Sequence, residues 1–452
     1  KVDLKALQKI APSVAKAAGA LQRAQTKMDR INSDSLLVPL RSPVALIQSK
    51  VDGAQSAANS SNIAAKLLPA MLGAKSTRHY LLLIQNNAEV RSTGGISGSY
   101  AILKAKQGKL SMGFQGSIQD LKPFAKPVVP RTKEEQGIFP PTLVTDIRDA
   151  NSTPDFPRTG QITAAMVAKG LKQHVDGVIS VDPVAMSYIL AGTGPVILKK
   201  GVAIDQTNAV QLLLNTVYRF YQNPTVQDDV FKLVARKVFN EVKSGRADSR
   251  SVISGMVQAA NQNRLLIWSA HANEQKLIAT TGVSGIFMGN DGSTPHVGLY
   301  LGDAASTKME YYLNYSTRLV STGCLSGKVQ ELSTTTDLSS SAPTDATKLP
   351  DSVTGDGTFT KRGTMRLILR FFAPYHGGFT DVRVDGKRQT VYADPLYGRN
   401  ATKVFLVLKP GQTRTVTTSM ISGKGQGGDA IFSTTPGVQN TANDVQVPSA
   451  CK

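Results

Sequence analysis

Three stretches of this sequence collect side chains that can handle a phosphoryl group. In the first, Asn86, Asn87, Glu89 and Arg91 follow the apolar run Tyr80 to Ile84 and precede Gly94 and Gly95. A continuous apolar run reads as a strand buried on both faces, which places these polar groups at its carboxyl edge, where open α/β sheets bind ligands. Glycines there let backbone amides approach an anion, although Asn and Gly also build ordinary hydrogen-bonded turns. The second stretch packs Asp146, Arg148, Asp149, Asn151, Asp155 and Arg158 into thirteen residues that also hold Pro154 and Pro157. Arginine offers forked donors to phosphate oxygens, and aspartate offers a metal ligand or a general base. A solvated loop braced by its own salt bridges would use the same residues. The third comprises Arg219, Asp228, Asp229, Lys232 and Arg236, on two helical segments around Gln222-Asn223-Pro224. Asp229, Lys232 and Arg236 are three and four apart and share one helical face, as an exposed charge ladder also would.

Several familiar catalytic signatures do not occur. There is no Walker loop, no Gly-x-Ser-x-Gly elbow and no His-Glu-x-x-His. The five histidines are scattered and neither cysteine has a neighbour at ligand spacing, so a zinc site is not expected. A glycosidase pair of carboxylates stays open, because its spacing exists only in three dimensions.

The elements that must position these groups divide the chain into three parts. Over 1–75, Leu7, Val14, Leu21 and Met28 fall seven apart, with Ile10, Ala17, Ala24 and Ile31 three residues on from each. Pro39 and Pro43 interrupt this stripe and a second follows through Val44, Ile47, Val51, Ala54 and Ala58, so a helical hairpin is predicted. At 1.5 Å per residue its arms reach roughly 45 Å; it is either a stalk or a hairpin packed on the main domain. From 78 to 262 strands alternate with helices: apolar runs at Tyr80–Ile84, Tyr100–Leu103 and Val175–Val181, and helical stretches at Ile162–Leu171, Pro183–Leu190, Asn208–Tyr221, Val226–Val242 and Val252–Asn261. That order predicts a layered α/β domain. From 265 to 452 short runs such as Val297–Leu301, Tyr311–Tyr315, Met365–Phe372 and Val404–Leu408 alternate with turn residues, the pattern of a β-sandwich. Residues 333–359, rich in Ser, Thr and Asp, read as an exposed loop.

The formal charge of +20, from 52 Lys and Arg against 32 Asp and Glu, favours polyanionic partners. Nucleic acid is not expected, since no basic run is interleaved with aromatics. Residues 1–75 hold eleven Lys and Arg against four Asp, a net +7 that suits an anionic membrane nearby. No apolar run is long enough to span a bilayer, and the chain begins on Lys1 rather than Met, so an N-terminal anchor or signal is expected to have been removed. Cys324 and Cys451, with no third cysteine, suit one disulfide in an oxidising compartment; two buried thiols are the alternative.

The motifs resemble a bacterial envelope family catalogued as domain of unknown function 4012. They are Leu82-Leu83-Ile84-Gln85-Asn86-Asn87-Ala88-Glu89-Val90-Arg91, Thr93-Gly94-Gly95, Arg148-Asp149-Ala150-Asn151 with Pro154-Asp155-Phe156-Pro157, Asp176-Gly177-Val178, and Gly192-Thr193-Gly194-Pro195-Val196. That family is frequent in actinobacteria and often membrane-anchored. It is similar, more distantly, to the LytR-CpsA-Psr transferases, which move glycans from polyprenyl pyrophosphate onto the cell wall. The resemblance implies a LytR-CpsA-Psr-like α/β domain facing the wall from the outer side of the cell membrane, with a polyprenyl-linked glycan and a wall polymer as partners. Arg91, Arg148, Arg158, Arg219 and Arg236, with Asn87, would hold the pyrophosphate. Asp149, Asp155 or Asp229 would hold magnesium or accept a proton, with Arg91, Arg148, Asp149 and Asp155 nearest the chemistry. The chain departs from the transferases at Gly98 and Ser99, where they carry an aspartate. A non-catalytic glycan-binding or assembly protein and a glycoside hydrolase are the competing readings.

Overall fold

The computed structural model describes residues 2–198, 201–287, 289–439 and 443–451. Helix α1 (Leu4–Met28) starts on Asp3, whose carboxylate accepts from the backbone N–H of Lys5 and Ala6, and α2 (Val38–Met71) runs back along it. Leu7, Val14, Leu21 and Met28 are half-buried at the seam, whereas Ile10, Ala17 and Ile31 are exposed; the seam is shallow, and Ala18 is the one buried residue of α1. Both arms are fastened at their root. The N–H of Val2 donates to Gly108 O, that of Gly108 to Leu72 O, and that of Gln107 to Gly73 O. Ile63 and Leu67 of α2 bury with Ile278. The far end of the hairpin, at residues 29–40, therefore stands roughly 37 Å from its root, at 1.5 Å for each residue of α1. Among the described residues no helix is long and apolar enough to cross a membrane.

The rest of the chain is mixed α/β with several sheets. The first has the order β3-β2-β1-β4-β7, built from β1 (Arg78–Arg91), β2 (Gly94–Lys106), β3 (Lys109–Ser117), β4 (Gly177–Val181) and β7 (Leu265–Ser269). β1 is central, parallel to β4 and antiparallel to β2. Its apolar run is buried on both faces because successive side chains point to opposite sides. Leu81 and Leu83 join a core with Ile162 and Met166 of α4 (Phe156–Gly170), whereas Tyr80 packs beside Phe239 on the other face. The short α3 (Lys133–Ile138) precedes α4, and α5 (Pro183–Thr193) follows β4. A small β5–β6 ladder (Val196–Ile197, Ala203–Ile204) leads into α6 (Ala209–Gln211) and α7 (Val217–Phe220), then α8 (Pro224–Ser244) and α9 (Ser249–Asn261). The helix predicted over 208–221 is not uniform, because Leu212–Thr216 between α6 and α7 forms a π turn.

Two further sheets follow. One has the order β14-β15-β11-β8-β17-β18, from β8 (His296–Asp303), β11 (Met365–Tyr375), β14 (Asp394–Leu396), β15 (Arg399–Leu408), β17 (Ala430–Thr434) and β18 (Gln446–Val447). The other has the order β13-β12-β16-β10-β9, from β9 (Leu313–Leu325), β10 (Val329–Ser340), β12 (Gly378–Val384), β13 (Lys387–Arg388) and β16 (Thr413–Ile421). Leu299, Leu369 and Leu406 of the first share one apolar cluster with Leu332, Val416 and Met420 of the second, and that cluster runs on into Ile84, Val90, Leu190 and Leu213. The predicted loop over 333–359 needs correction, since residues 333–340 complete β10. Threonine is β-branched and suits a strand, and Leu332, Thr334, Thr336 and Leu338 alternate inward with the Thr334 hydroxyl 2.7 Å from that of Thr418. Cys324 and Cys451 are disulfide-bonded, with Cα atoms 5.0 Å apart, and tie the end of the chain to β9.

Candidate functional site

The polar motif after Ile84 lies neither at the carboxyl edge of the strand, where the apolar run placed it, nor in a turn, but in a bulge within the strand. Asn86 pairs with Ile96 and the next ladder pair is Val90 with Gly95, so Asn87, Ala88 and Glu89 have no partner on β2. Bulges re-aim side chains. Asn87 Nδ2 donates to the Asp182 carboxylate at 2.9 Å and to Pro436 O at 3.0 Å. Asp182 also accepts from Arg264 Nη1 at 2.8 Å and caps α5 through Ala185 N at 2.7 Å. The glycines serve the chain's own close approach. A Cβ on Gly95 would sit 2.0 Å from Asn86 O, and one on Gly94, at φ +137°, would sit 2.2 Å from Gln85 Oε1. The space an anion would use over them is filled.

Glu89 turns into a buried ionic network. Its carboxylate accepts from Arg91 Nη2 at 3.1 Å and from the Lys308 ammonium. Arg91 places Nε 3.4 Å from Asp149 and donates Nη1 to Val90 O at 3.0 Å, so all three of its nitrogens are engaged. Behind this pair lie Asp303 at the end of β8, Glu310 in the turn before β9, and Arg370 on β11. Glu310 is 1% exposed, and among the described residues neither carboxylate oxygen has a hydrogen-bond partner. Burial, then the neighbouring Asp303 and Glu89, push its pKa well above the ordinary carboxylate range. Burial and then Glu89 push Asp303 up to about 6. Glu89 goes the other way, because Lys308 and Arg91 together outweigh the effect of its burial. Burial and then Arg91 lower Arg370 to about 10. The network therefore holds two carboxyl groups that retain protons where an exposed carboxylate would not.

The other residues singled out by the sequence are distributed around the fold. Arg148 closes its guanidinium fork on Asp146, with Nη2 to Oδ2 at 2.5 Å, and is half-exposed at the edge of the network. Asp155 caps α4, accepting from Arg158 N at 3.1 Å, and also accepts from Phe287 N at 3.1 Å. Arg158 makes a two-point pair with the buried Glu135, at 2.7 and 3.0 Å, and donates to Pro130 O at 2.6 Å. Arg219 is exposed on α7, and the exposed Asp229 pairs with Lys232 at 2.8 Å. Arg91, Arg148 and Asp149 thus come together, whereas Asp155 with Arg158 and Asp229 with Arg236 belong to two other places. The magnesium donors expected at Asp149, Asp155 and Asp229 do not gather, and among the described residues no group of three or more His, Cys, Asp or Glu is placed to hold a metal ion.

An apolar concavity lies elsewhere. A cavity of about 690 Å³ opens between β5–β6, the helical run from Leu212 to Tyr221, and α8. Its wall is apolar, with Leu198, Val202, Leu212, Val217, Phe220, Val226, Val230 and Leu233, and its rim carries Gln115, Asp229, Lys232 and Arg236. The π turn contributes Leu212 and Thr216 to the wall while Leu213 and Leu214 stay in the core; such turns often occur at functional sites. Phe220 at 76% exposure and Tyr221 at 47% leave a large apolar surface at the mouth. Gln115 on β3 fixes the rim, accepting from Arg236 Nε at 2.7 Å and donating to Lys232 O at 3.1 Å. Arg236 forms no ion pair among the described residues. One side chain connects cavity and network: Tyr218, beside Val217, accepts from Asn86 Nδ2 at 2.5 Å and lies under the Lys308 ammonium, 5.5 Å from its ring centre. Sequence reasoning passed over Asp303, Lys308, Glu310 and Arg370 because they lie more than two hundred residues beyond Arg91, and the only local sign was two charges flanking the apolar Met309.

No curated protein matches the chain. Among solved structures, protein gbs0355 from Streptococcus agalactiae is 10% identical with a TM-score of 0.31, over 48% of this chain and 76% of that one. TagV from B. subtilis is 13% identical with a TM-score of 0.27, over 48% and 85%. A protein titled transcriptional regulator yvhJ from Bacillus subtilis is 9% identical with a TM-score of 0.26, over 45% and 77%. Residues 75–218 match the family described as "Protein of unknown function (DUF4012)", the family that the motifs from Leu82 to Val196 resemble.

Proposed function

We propose that this chain is an extracytoplasmic cell-envelope protein that binds a polyprenyl-pyrophosphate-linked glycan destined for the cell wall, with the two C-terminal sheets serving as a β-sandwich for the glycan or wall polymer. The observation that carries this reading is the cavity of about 690 Å³, apolar along its wall and carrying at its rim Arg236 beside the Lys232–Asp229 pair. An isoprenoid tail in the cavity removes apolar surface from water, and the Arg236 guanidinium meets the phosphates. Binding is favoured over transfer because the Arg91 guanidinium is engaged by protein groups and the carboxylates do not gather. No step is assigned to magnesium.

One observation favours a transfer reading. Asp228, next to the rim, accepts from Ser117 Oγ at 2.5 Å, and burial raises its pKa, the direction that strengthens a carboxylate as a general base. Such a base would take the proton of an acceptor hydroxyl as polyprenyl phosphate leaves. The test is titration of the protein with a polyprenyl pyrophosphate beside a Leu233→Trp variant that fills the cavity. Affinity at least tenfold weaker in the variant, with an unchanged melting temperature, is the expected result; equal affinity would remove the cavity from the function. Release of polyprenyl phosphate on adding a sugar acceptor, lost in Asp228→Asn, would move the assignment from binding to transfer.

A further inference from the structure

The far end of the helical hairpin exposes more large apolar side chains than its root does. Leu37 is 76% exposed, Val38 73%, Leu46 59%, Ile47 51% and Leu40 50%. They do not form a stripe. With 100° per residue, Leu40 and Ile47 point one way, Leu46 about 120° from Leu40, and Val38 about 160° from it. Helix α1 covers the side next to Leu40, where Val44, Gln48 and Val51 are partly covered and Gln48 Nε2 donates to Met28 O at 3.0 Å and Ile31 O at 2.7 Å. Arg41, Ser42, Ser49 and Lys50 are exposed between the apolar side chains, so several sides carry apolar tips set among polar and cationic groups, as an interfacial helix does. A protein groove would cover one side and leave the others wet.

Charge identifies the surrounding. Over residues 27–50 the exposed cations Lys27, Arg30, Arg41 and Lys50 outnumber Asp29 and Asp34, and the first turn of α2 contains no acidic residue. Its N-cap, Leu37, makes no side-chain hydrogen bond, so the positive end of the helix dipole is offered outward among the apolar side chains. Apolar tips ringed by cations match the boundary between acyl chains and anionic headgroups. We propose that the hairpin end around Leu37 inserts into an anionic lipid surface, holding the domain at the root roughly 37 Å away along the arms. This does not depend on what the cavity binds.

Flotation of the whole chain with vesicles tests it. Phosphatidylglycerol-containing vesicles should capture the protein and pure phosphatidylcholine vesicles should capture at least tenfold less. Replacing Leu37, Val38 and Leu46 together by Asp should cut capture by the anionic vesicles at least tenfold without changing the circular dichroism, whereas Ile253→Asp, an equally exposed apolar site on α9, should leave it intact. In a Leu37→Trp variant, brominated acyl chains should quench fluorescence beyond the constant signal of Trp268. Capture unaffected by the triple substitution would assign lipid binding to the general basic surface and overturn the proposal. So would absence of capture by either protein, or a dimer that the triple substitution dissociates while vesicle affinity stays unchanged.

Discussion

The arginines of the Arg91 network and of the cavity rim lie on either side of Tyr218, yet they are used in opposite ways. Arg91 is 8% exposed and gives each nitrogen to Glu89, Asp149 or the carbonyl of Val90. Arg236 is exposed and gives one nitrogen to an amide. Removing one partner of a buried pair strands the other charge in a medium that solvates it poorly, whereas an exposed cation without a carboxylate is solvated already and loses little by meeting a phosphate. The difference teaches that positive charge near an α/β sheet edge marks a ligand site only where the protein has not already neutralised it.

The largest effect expected from this contrast is on stability. Arg91→Ala leaves Glu89 with Lys308 alone and Asp149 with one fewer cation, and should cost about 3–5 kcal/mol in denaturant unfolding. A variant that melts like wild type but no longer binds a polyprenyl pyrophosphate would reverse the roles of the two groups. Arg236→Ala should show the converse, an unchanged melting temperature with affinity about tenfold weaker, the scale of one lost charge-assisted hydrogen bond of about 1.4 kcal/mol. Calorimetric titration and thermal melts on both variants give the full comparison. Arg148→Lys should do less than either. Its half-exposed fork is already closed on the buried Asp146, so lysine keeps the charge, loses the two-point geometry, and should change stability by about 1 kcal/mol and affinity not at all. A tenfold loss of affinity would return Arg148 to the ligand.

Much of the scaffold was legible before any coordinates. The heptads gave the hairpin, the apolar run at Tyr80 gave a strand buried on both faces, and the parity of the cysteines pointed to the bond that Cys324 and Cys451 make. Strand β10 is hidden in the sequence by its Ser and Thr content, which resembles that of a loop although its burial alternates with a period of two. The bulge at Asn87–Glu89 was hidden for a different reason: a bulge is a property of two strands, and one strand's sequence carries no register. Charged residues along the edge of β1 are legible in the sequence, but their partners are not. Arg158 finds Glu135 and Glu89 finds Lys308 only after the sheets have packed, so local spacing could not separate a phosphate clamp from an internal brace.

The smallest expected effect tests the network from its far side. Glu310 and Asp303 have pKa values raised by burial, so between the ordinary carboxylate value near 4 and their folded values the native state keeps protons that the unfolded chain has released. Stability therefore falls as pH rises through that window, which for Asp303 closes near 6 and for Glu310 extends well above the ordinary range. Glu89 acts in the other direction and at lower pH: its contribution is present above the ordinary carboxylate value and is lost as pH drops below it. Glu310→Gln keeps the shape and removes the titration. Wild type should lose on the order of 2 °C in melting temperature between pH 5 and 7, and the variant should lose less, with the two curves converging near pH 4. Equal slopes would mean that Glu310 is solvated or paired in solution and that the network's spare carboxyl lies elsewhere. A steeper slope in the variant would mean that ionised Glu310 supports Arg91 and Lys308, which would make those cations less fully neutralised than Arg91→Ala assumes and bring the two groups of cations closer in kind.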